Sequence, residues 1–162
     1  MERIWAPWRM RYIDGSHKDE GCIFCVKPTH TDDNGNLIVY RGDYAFAMMN
    51  LFPYTNGHTM VAPYKHTAIF EELTEKEVLD IHKISSIVIK AIKKTMHPDG
   101  FNLGYNLGRT AGAGIADHLH FHIVPRWNGD TNFMPVIGEV KVISEHIEQT
   151  YEKLLKGIRE VL

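Results

Sequence analysis

The stretch His118-Leu119-His120-Phe121-His122-Ile123-Val124-Pro125-Arg126 decides the fold of this chain. Three histidines alternate with Leu, Phe and Ile, and the two-residue period of a β-strand sends alternate side chains to opposite faces. The sequence therefore predicts a strand from His118 to Val124 with one face in the core and one face for chemistry. Half-exposed strands usually carry Thr, Lys, Glu or Ser outward, so three imidazoles in a row favour a functional site over simple solvation.

Two kinds of chemistry fit the three histidines. Imidazoles at alternate strand positions can hold a catalytic Zn²⁺ that keeps one position open for water. Alternatively, one imidazole can be a nucleophile toward phosphorus while its neighbours orient it and bind phosphate. A glycine-rich lead-in, Gly112-Ala113-Gly114, favours phosphate because glycines let backbone N–H groups come close to an anion. The three histidines alone leave both readings open.

Length and composition exclude several classes of protein. The 162 residues, 44% of them hydrophobic, suffice for one domain with a sizeable core. The 18 basic and 20 acidic residues give a formal charge of −2, so we expect no nucleic-acid partner and only local phosphate recognition. No window approaches the roughly 18 apolar residues of a membrane span, and the N-terminus lacks the apolar run of a signal peptide. We therefore expect a cytoplasmic protein with no membrane partner.

The fold class predicted from the chain is α+β, with a five-stranded antiparallel meander sheet and a long amphipathic helix. The capping box Thr74-x-x-Glu77 begins the helix, which continues through Val78, Ile81, Ile84, Ser85, Val88 and Ile92 and stops near His97. Ser144 is the expected cap of a final helix, which follows a short strand near Val140 to Ile143. The other four strands are predicted at Leu37 to Tyr40, Tyr44 to Asn50, His58 to Pro63 and Phe101 to Asn106.

Cys22 and Cys25 are the only cysteines, and in a reducing compartment their Cys-x-x-Cys spacing indicates metal or redox chemistry. Two more ligands would complete a tetrahedral zinc site. His66 and His118 are the candidates, because each lies at a strand end bordering the loops that the cysteines could reach. A redox pair is the alternative, although no βαβ pattern surrounds the motif. The sequence favours a structural Cys₂His₂ zinc site.

His120 is the central imidazole that remains if zinc takes His118. A neutral imidazole attacks phosphorus through one nitrogen only if the other nitrogen carries a proton held by an acceptor, and a backbone carbonyl would serve. The attack would give a phosphohistidine-type intermediate. Polar residues at nearby strand ends and loops are candidates for substrate contacts: His58, Asn50, Asn106 and Arg109.

These motifs together resemble the histidine triad (HIT) family of nucleotidyl hydrolases and transferases. The resemblance rests on Cys22-Ile23-Phe24-Cys25, Asn50, Gly57-His58-Thr59 with Pro63-x-x-His66, and the three histidines through Arg126. Trp5-Ala6-Pro7-Trp8-Arg9 and Asn132-Phe133-Met134-Pro135-Val136 look like the bacterial branch that includes diadenosine tetraphosphate phosphorylases. We expect a single domain, 1–162, made of an N-terminal arm (1–20), a HIT core (22–126) and a C-terminal extension (127–162).

The resemblance implies a set of roles. His120 would be the nucleophile on the α-phosphorus, with His122 and His58 completing the catalytic environment. Zinc-bearing members use Cys22, Cys25, His66 and His118, and the family forms homodimers in which two five-stranded sheets join. Many members carry Gln and Ser or Thr where this chain has Gly114 and Ile115, which leaves room for inorganic phosphate as acceptor. The substrate contacts implied are Asn50 to ribose, and Asn106 with the backbone of Gly112, Ala113 and Gly114 to phosphate.

The expected activity is cleavage of a dinucleoside polyphosphate, with diadenosine tetraphosphate first among the candidates, through a covalent nucleotidyl-histidine. Phosphate or water would then accept the nucleotidyl group. Two alternatives stay open at this point. One is a hydrolase of nucleoside phosphoramidates or other adenylates, and the other is a nucleotide-sensing module that binds such molecules without turnover.

Overall fold

The computed structural model of the chain describes residues 21–133, 137 and 143–162. The expected N-terminal arm at 1–20 lies outside these residues, as do Met134 to Val136 and all of the expected strand near Val140 except Ile143. Within the described ranges, no helix combines the length and the apolar character needed to cross a membrane.

Five strands form one sheet in the order β1-β2-β3-β5-β4, and all neighbours are antiparallel. The α+β class is therefore confirmed. The predicted meander is correct only from β1 to β3. After β3 the long helix crosses the sheet and leads to β4 at the edge, and the next strand, β5, lies between β3 and β4. The strands are β1 (Ile38–Arg41), β2 (Ala45–Met49), β3 (Thr59–Pro63), β4 (Gly100–Tyr105) and β5 (Phe121–Arg126).

Three α-helices whose ends both lie within the described residues accompany the sheet: α1 (Ile23–Val26), α2 (Glu75–Met96) and α3 (Ile147–Val161). The predicted capping box begins α2, since Glu77 N–H donates to the Thr74 hydroxyl and Thr74 N–H donates to the Glu77 carboxylate. His97 ends the helix in the left-handed conformation. The predicted apolar stripe is buried except for Val78, which is half-exposed.

The final helix, α3, lies against α2 and β1. Its N-cap is His146 rather than the expected Ser144, and no side chain caps it. The Tyr151 hydroxyl donates to the Ile38 carbonyl over 2.9 Å, which ties α3 to the first strand. Gly157 lets the two helices approach closely, since a Cβ there would stand 2.8 Å from the Ala91 carbonyl oxygen.

The centre of the sheet is buried on both faces, because alternate residues of its central strands enter two separate apolar clusters. All five residues of β2 are buried: Ala45, Ala47 and Met49 face α2 and α3, whereas Phe46 and Met48 face the opposite side. On that opposite side they meet Phe24, Ile38, Met60 and Ala62. The short α1 thus covers the sheet face on which the histidines lie.

Candidate functional site

The three histidines span the boundary between a loop and β5, which begins at Phe121 rather than at the expected His118. Before β5 begins, the backbone bonds to a loop rather than to a neighbouring strand, since Leu119 N–H donates to the Thr67 carbonyl. The imidazoles still share one side, and the His120 and His122 ring centroids are 4.8 Å apart. Their residues are only 1 to 7% exposed, which excludes the disfavoured alternative of a half-exposed strand with polar side chains turned to solvent.

His120 has its proton placed by the backbone. Its Nδ1 lies 2.8 Å from the His118 carbonyl oxygen, and a carbonyl only accepts, so we infer that Nδ1 carries the proton. Burial lowers the pKa of His120. The ring is therefore neutral at pH 7, and its Nε2 bears a lone pair.

Hydrogen bonds also determine which nitrogen carries the proton in His58 and in His122. The Tyr54 N–H donates to His58 Nδ1 over 3.0 Å, which makes that nitrogen an acceptor and places the His58 proton on Nε2. His58 Nε2 in turn lies 2.8 Å from His122 Nδ1. His122 must then carry its own proton on Nε2, which lies 3.5 Å from Asn106 Nδ2; since both nitrogens are then donors, no hydrogen bond joins them. Burial, with a smaller contribution from His120, lowers the pKa of His122 to about 4, so the ring is neutral and offers an N–H.

Cys22, Cys25, His66 and His118 converge as the sequence predicts, with one potential ligand atom from each within 4.8 Å of the others. Tetrahedral zinc places nitrogen and sulfur ligands about 3.3 to 3.8 Å apart. The separations here fit: 3.3 Å from Cys22 Sγ to His118 Nδ1, 3.3 Å from Cys25 Sγ to His66 Nδ1, and 3.2 Å between the two imidazole Nδ1 atoms. The four residues can therefore hold a metal ion.

The protonation of this cluster also suits a cation. His118 Nε2 donates to the Pro63 carbonyl over 2.9 Å, which turns the unprotonated Nδ1 toward the cysteines and fixes the ring as metal-site partners do. Burial lowers the pKa of His118 and keeps it neutral. Burial and the neighbouring Cys22 raise the pKa of the Cys25 thiol, so without a cation this thiol resists ionisation.

The residues expected to contact substrate differ in how many of their polar groups already have hydrogen-bond partners in the protein. Asn50 Oδ1 accepts from Phe52 N–H over 2.8 Å, which fixes the orientation of the side-chain amide. Arg109 begins a 3₁₀ turn in the β4–β5 loop and is exposed. The N–H groups of Gly112 and Ala113 donate within that loop, to Arg109 and Gly108.

Two aromatic residues join the site without having been singled out by the sequence. Phe24, fully buried between the cysteines, stacks on His120 with a 4.7 Å centroid separation and also contacts His118. Tyr54 stacks on His58 at 4.6 Å and lies 5.8 Å from His122. Their signal in the sequence is position alone, since Phe24 lies inside the Cys-x-x-Cys motif and Tyr54 lies in a loop with no periodic pattern.

Residues 32–129 match the HIT domain. The chain belongs to the HIT family. An AP-4-A phosphorylase from Mycobacterium tuberculosis is 39% identical over 158 residues, which cover 93% of this chain and 80% of that protein. Among solved structures, a zinc-bound histidine triad family protein from Mycobacterium smegmatis superposes with a TM-score of 0.68 at 24% identity, covering 86% of this chain and 94% of its own. A hypothetical histidine triad nucleotide-binding protein from Sulfolobus tokodaii gives a TM-score of 0.64 at 33% identity, covering 86% and 91%.

Proposed function

We propose that this HIT protein transfers an adenylyl group from a dinucleoside polyphosphate, diadenosine tetraphosphate foremost, through His120 to phosphate or water. The observation that carries the proposal is the hydrogen bond from His120 Nδ1 to the His118 carbonyl, which leaves the Nε2 lone pair available in a buried site. The 39% identity to a protein named AP-4-A phosphorylase supports the substrate class.

The first step forms a bond from His120 Nε2 to the α-phosphorus and breaks the bond from that phosphorus to the bridging oxygen. The bridging oxygen leaves with the electron pair as part of ATP. Positive charge develops on the His120 ring, and the His118 carbonyl stabilises it through the Nδ1 proton. The N–H that the His58–His122 pair directs outward from His122 Nε2 binds the departing oxygen.

The second step transfers the adenylyl group from His120 to an acceptor oxygen, restoring the imidazole. Phosphate as acceptor gives ADP, whereas water gives AMP. We favour phosphate, because Gly114 and Ile115 bring no side-chain hydrogen-bond donor to this loop and a Cβ at Gly114 would meet no heavy atom within 4 Å. That open space suits a second phosphate.

A structural zinc ion completes the proposed protein, held by Cys22, Cys25, His66 and His118. Four protein ligands close the coordination shell, so the ion would stabilise the fold and leave no open position for a substrate. The ion would bind both cysteines of the Cys-x-x-Cys motif and would thereby fix Phe24, whose ring lies between them in sequence and stacks on His120. A site built on two free thiols suits the reducing cytoplasm, where we propose that the protein resides.

A homodimer is proposed through the edge strand β4. Among the residues that the structure describes, this strand pairs with β5 alone, so one row of its backbone groups lacks a strand partner there. The apolar side chain of Leu103 on this strand is 51% exposed. Antiparallel pairing of two such edges would join the two five-stranded sheets into one.

Product analysis of diadenosine tetraphosphate, with and without inorganic phosphate, tests the proposed reaction. ADP and ATP formed only with phosphate are the expected products. AMP and ATP in both conditions would make the protein a hydrolase. Cleavage of an adenosine phosphoramidate alone, or tight binding without any turnover, would contradict the proposal and favour one of the two alternatives.

A further inference from the structure

Cys22 and Cys25 lie at the two ends of one turn. Cys22 is the N-cap of α1 in an extended conformation, and Cys25 N–H donates to the Cys22 carbonyl over 2.9 Å. A turn closed in this way keeps its first and fourth Cα atoms within about 7 Å, the limit beyond which a disulfide needs backbone movement. The two Sγ atoms are within 4.8 Å of each other. Rotation of the two side chains therefore suffices to bring the sulfurs into bonding distance.

Small molecules can reach this turn from one side. Cys22 and Cys25 are free thiols and are each partly exposed, and the neighbouring His66 is exposed. The opposite side is closed, since Phe24 is fully buried. The sequence contains two cysteines in all, so within one molecule each thiol has only the other as a disulfide partner.

The same two sulfurs are half of the ligand set proposed for zinc. Thiolates, rather than neutral thiols, both bind zinc and react with oxidants. A disulfide sulfur carries no negative charge and does not replace a thiolate ligand. A bond between Cys22 and Cys25 would therefore leave His66 and His118 as the remaining ligands, which do not make a closed tetrahedral shell.

Changes at this turn reach the proposed nucleophile through two contacts. Phe24, between the cysteines in sequence, stacks on His120 with a centroid separation of 4.7 Å. His118 provides the carbonyl that accepts from His120 Nδ1 over 2.8 Å. Without the proposed ion, the His118 ring keeps its hydrogen bond to the Pro63 carbonyl but loses its second attachment. The residue that orients the nucleophile is then held less firmly.

We propose that Cys22 and Cys25 are an oxidation site for hydroperoxides, and that their disulfide lowers adenylyl transfer by opening the metal cluster. With hydrogen peroxide, the two thiolates give up two electrons and form one S–S bond, while the O–O bond breaks and gives two hydroxide ions. A dithiol reductant reverses the step by thiol–disulfide exchange. This inference rests on the proposed function, because it assumes the zinc ion and the adenylyl transfer named there.

The test treats the purified, zinc-loaded protein with a small excess of hydrogen peroxide. Released zinc is measured with a chelating dye, the chain by intact-mass analysis under denaturing conditions, and kcat with diadenosine tetraphosphate. We expect release of the bound zinc, a chain lighter by two hydrogen atoms, and a fall in kcat of about tenfold from the displaced catalytic groups. Dithiothreitol followed by zinc should restore the mass, the bound zinc and kcat.

Three controls restrict the effect to the cysteines. Diamide, which oxidises thiols to disulfides and leaves methionine intact, should reproduce every change. Cys22→Ser cannot form the bond within one chain, so its chain should not lose two hydrogen atoms with either oxidant. His30→Ala, which changes an exposed histidine outside the cluster, should respond as the wild type does.

The outcomes separate the oxidation site from the proposed function. Zinc retained after oxidation, a chain made heavier by added oxygen, or an unchanged kcat after the disulfide forms would each overturn the inference while the zinc site and the reaction stand. A purified protein without zinc would contradict the proposed structural ion, and one without turnover before oxidation would contradict the proposed reaction. In both cases the inference fails as well.

Discussion

At the scale of single residues, backbone groups decide which nitrogen of each histidine carries a proton. The carbonyls of His118 and Pro63 accept from His120 Nδ1 and His118 Nε2, while the Tyr54 N–H donates to His58. Each ring therefore presents one defined nitrogen to the site: a lone pair from His120, a lone pair from His118 and an N–H from His122. The alternation of the sequence predicts the shared side of these rings but not their tautomers, because the tautomers depend on partners from other segments.

The depressed pKa of His122, about 4, predicts a pH dependence of stability. The unfolded chain, with a histidine pKa near 6.5, binds more protons than the folded chain between pH 6.5 and about 4. The stability is thus full above pH 6.5 and is lost as the pH falls toward 4, by at most about 3 kcal/mol for this residue. Urea unfolding of the wild type and His122→Asn across this range measures it.

The variant should show a shallower fall in unfolding free energy with decreasing pH, since Asn does not titrate. His82→Asn, at an exposed position on α2, is the control and should follow the wild-type curve. Identical slopes for wild type and His122→Asn would show that His122 is not held neutral by burial.

At the scale of elements, α1 connects the cluster of Cys22, Cys25, His66 and His118 to the other site histidines. Its residues lie between Cys22 and Lys27, and Phe24 on its buried side contacts both His118 and His120. Losing the metal or one ligand should therefore disturb the nucleophile as well as the fold.

Cys25→Ser tests this connection. We expect one zinc ion per chain in the purified wild type and none in the variant, with a lower thermal midpoint and a lower kcat. Metal content by elemental analysis and unfolding by circular dichroism are the measurements. His30→Ala, which changes an exposed histidine outside the cluster, should match the wild type in both. A zinc-free wild type with the same stability as Cys25→Ser would refute a structural metal site.

The crossing of α2 and α3 depends on Gly157. In Gly157→Ala the added Cβ would meet the Ala91 carbonyl at 2.8 Å and the Thr95 methyl at 2.9 Å. We expect a destabilisation of about 1 to 3 kcal/mol from this overpacking, although Ala is the better helix former. Denaturant unfolding measures it, with Lys156→Ala, an exposed change on the same helix, as control. A stabilised Gly157→Ala would show that the helices can separate without loss.

Hydrophobic periodicity and the residues typical of caps and turns predict most of the helices and strands, because both signals are local in the sequence. The strands β2 and β3, the capping box at Thr74 and the apolar stripe of α2 all appear in the structure at or near the expected residues. Three features escape this reasoning because other segments decide them. β5 begins at Phe121 rather than at His118, because the residues around His118 hydrogen-bond to other segments and not to a neighbouring strand. β4 lies at the edge of the sheet because α2 crosses over before it. His146 rather than Ser144 is the N-cap of α3.

At the scale of the whole molecule, the two faces of the sheet differ in what packs on them. Helices α2 and α3 bury one face, while α1, the metal cluster and the histidines occupy the other. The sequence predicts correctly that Cys22, Cys25, His66 and His118 converge, because a Cys-x-x-Cys motif requires partners and few residue types qualify. It does not indicate Tyr54 or Phe24, whose importance arises only from the stacking that the fold creates.

The exposed β4 edge predicts a dimer that charge can disrupt. Leu103→Lys would place a lysine at the proposed junction, where two copies would bring like charges together. Sedimentation velocity should give a dimer for the wild type and a monomer for the variant. Tyr44→Lys adds the same charge at the β1–β2 turn and should remain dimeric. A dimeric Leu103→Lys would place the interface elsewhere.

The covalent adenylyl-histidine is the central claim, and rapid quenching at neutral pH with intact-mass analysis tests it most directly. The protein is mixed with excess diadenosine tetraphosphate, without phosphate, in a single turnover. We predict a transient mass increase of one adenylyl group, assigned to His120 by peptide fragmentation, absent from His120→Asn and retained in His82→Asn. Turnover without any adenylylated protein, or an adenylylated His120→Asn, would contradict the account.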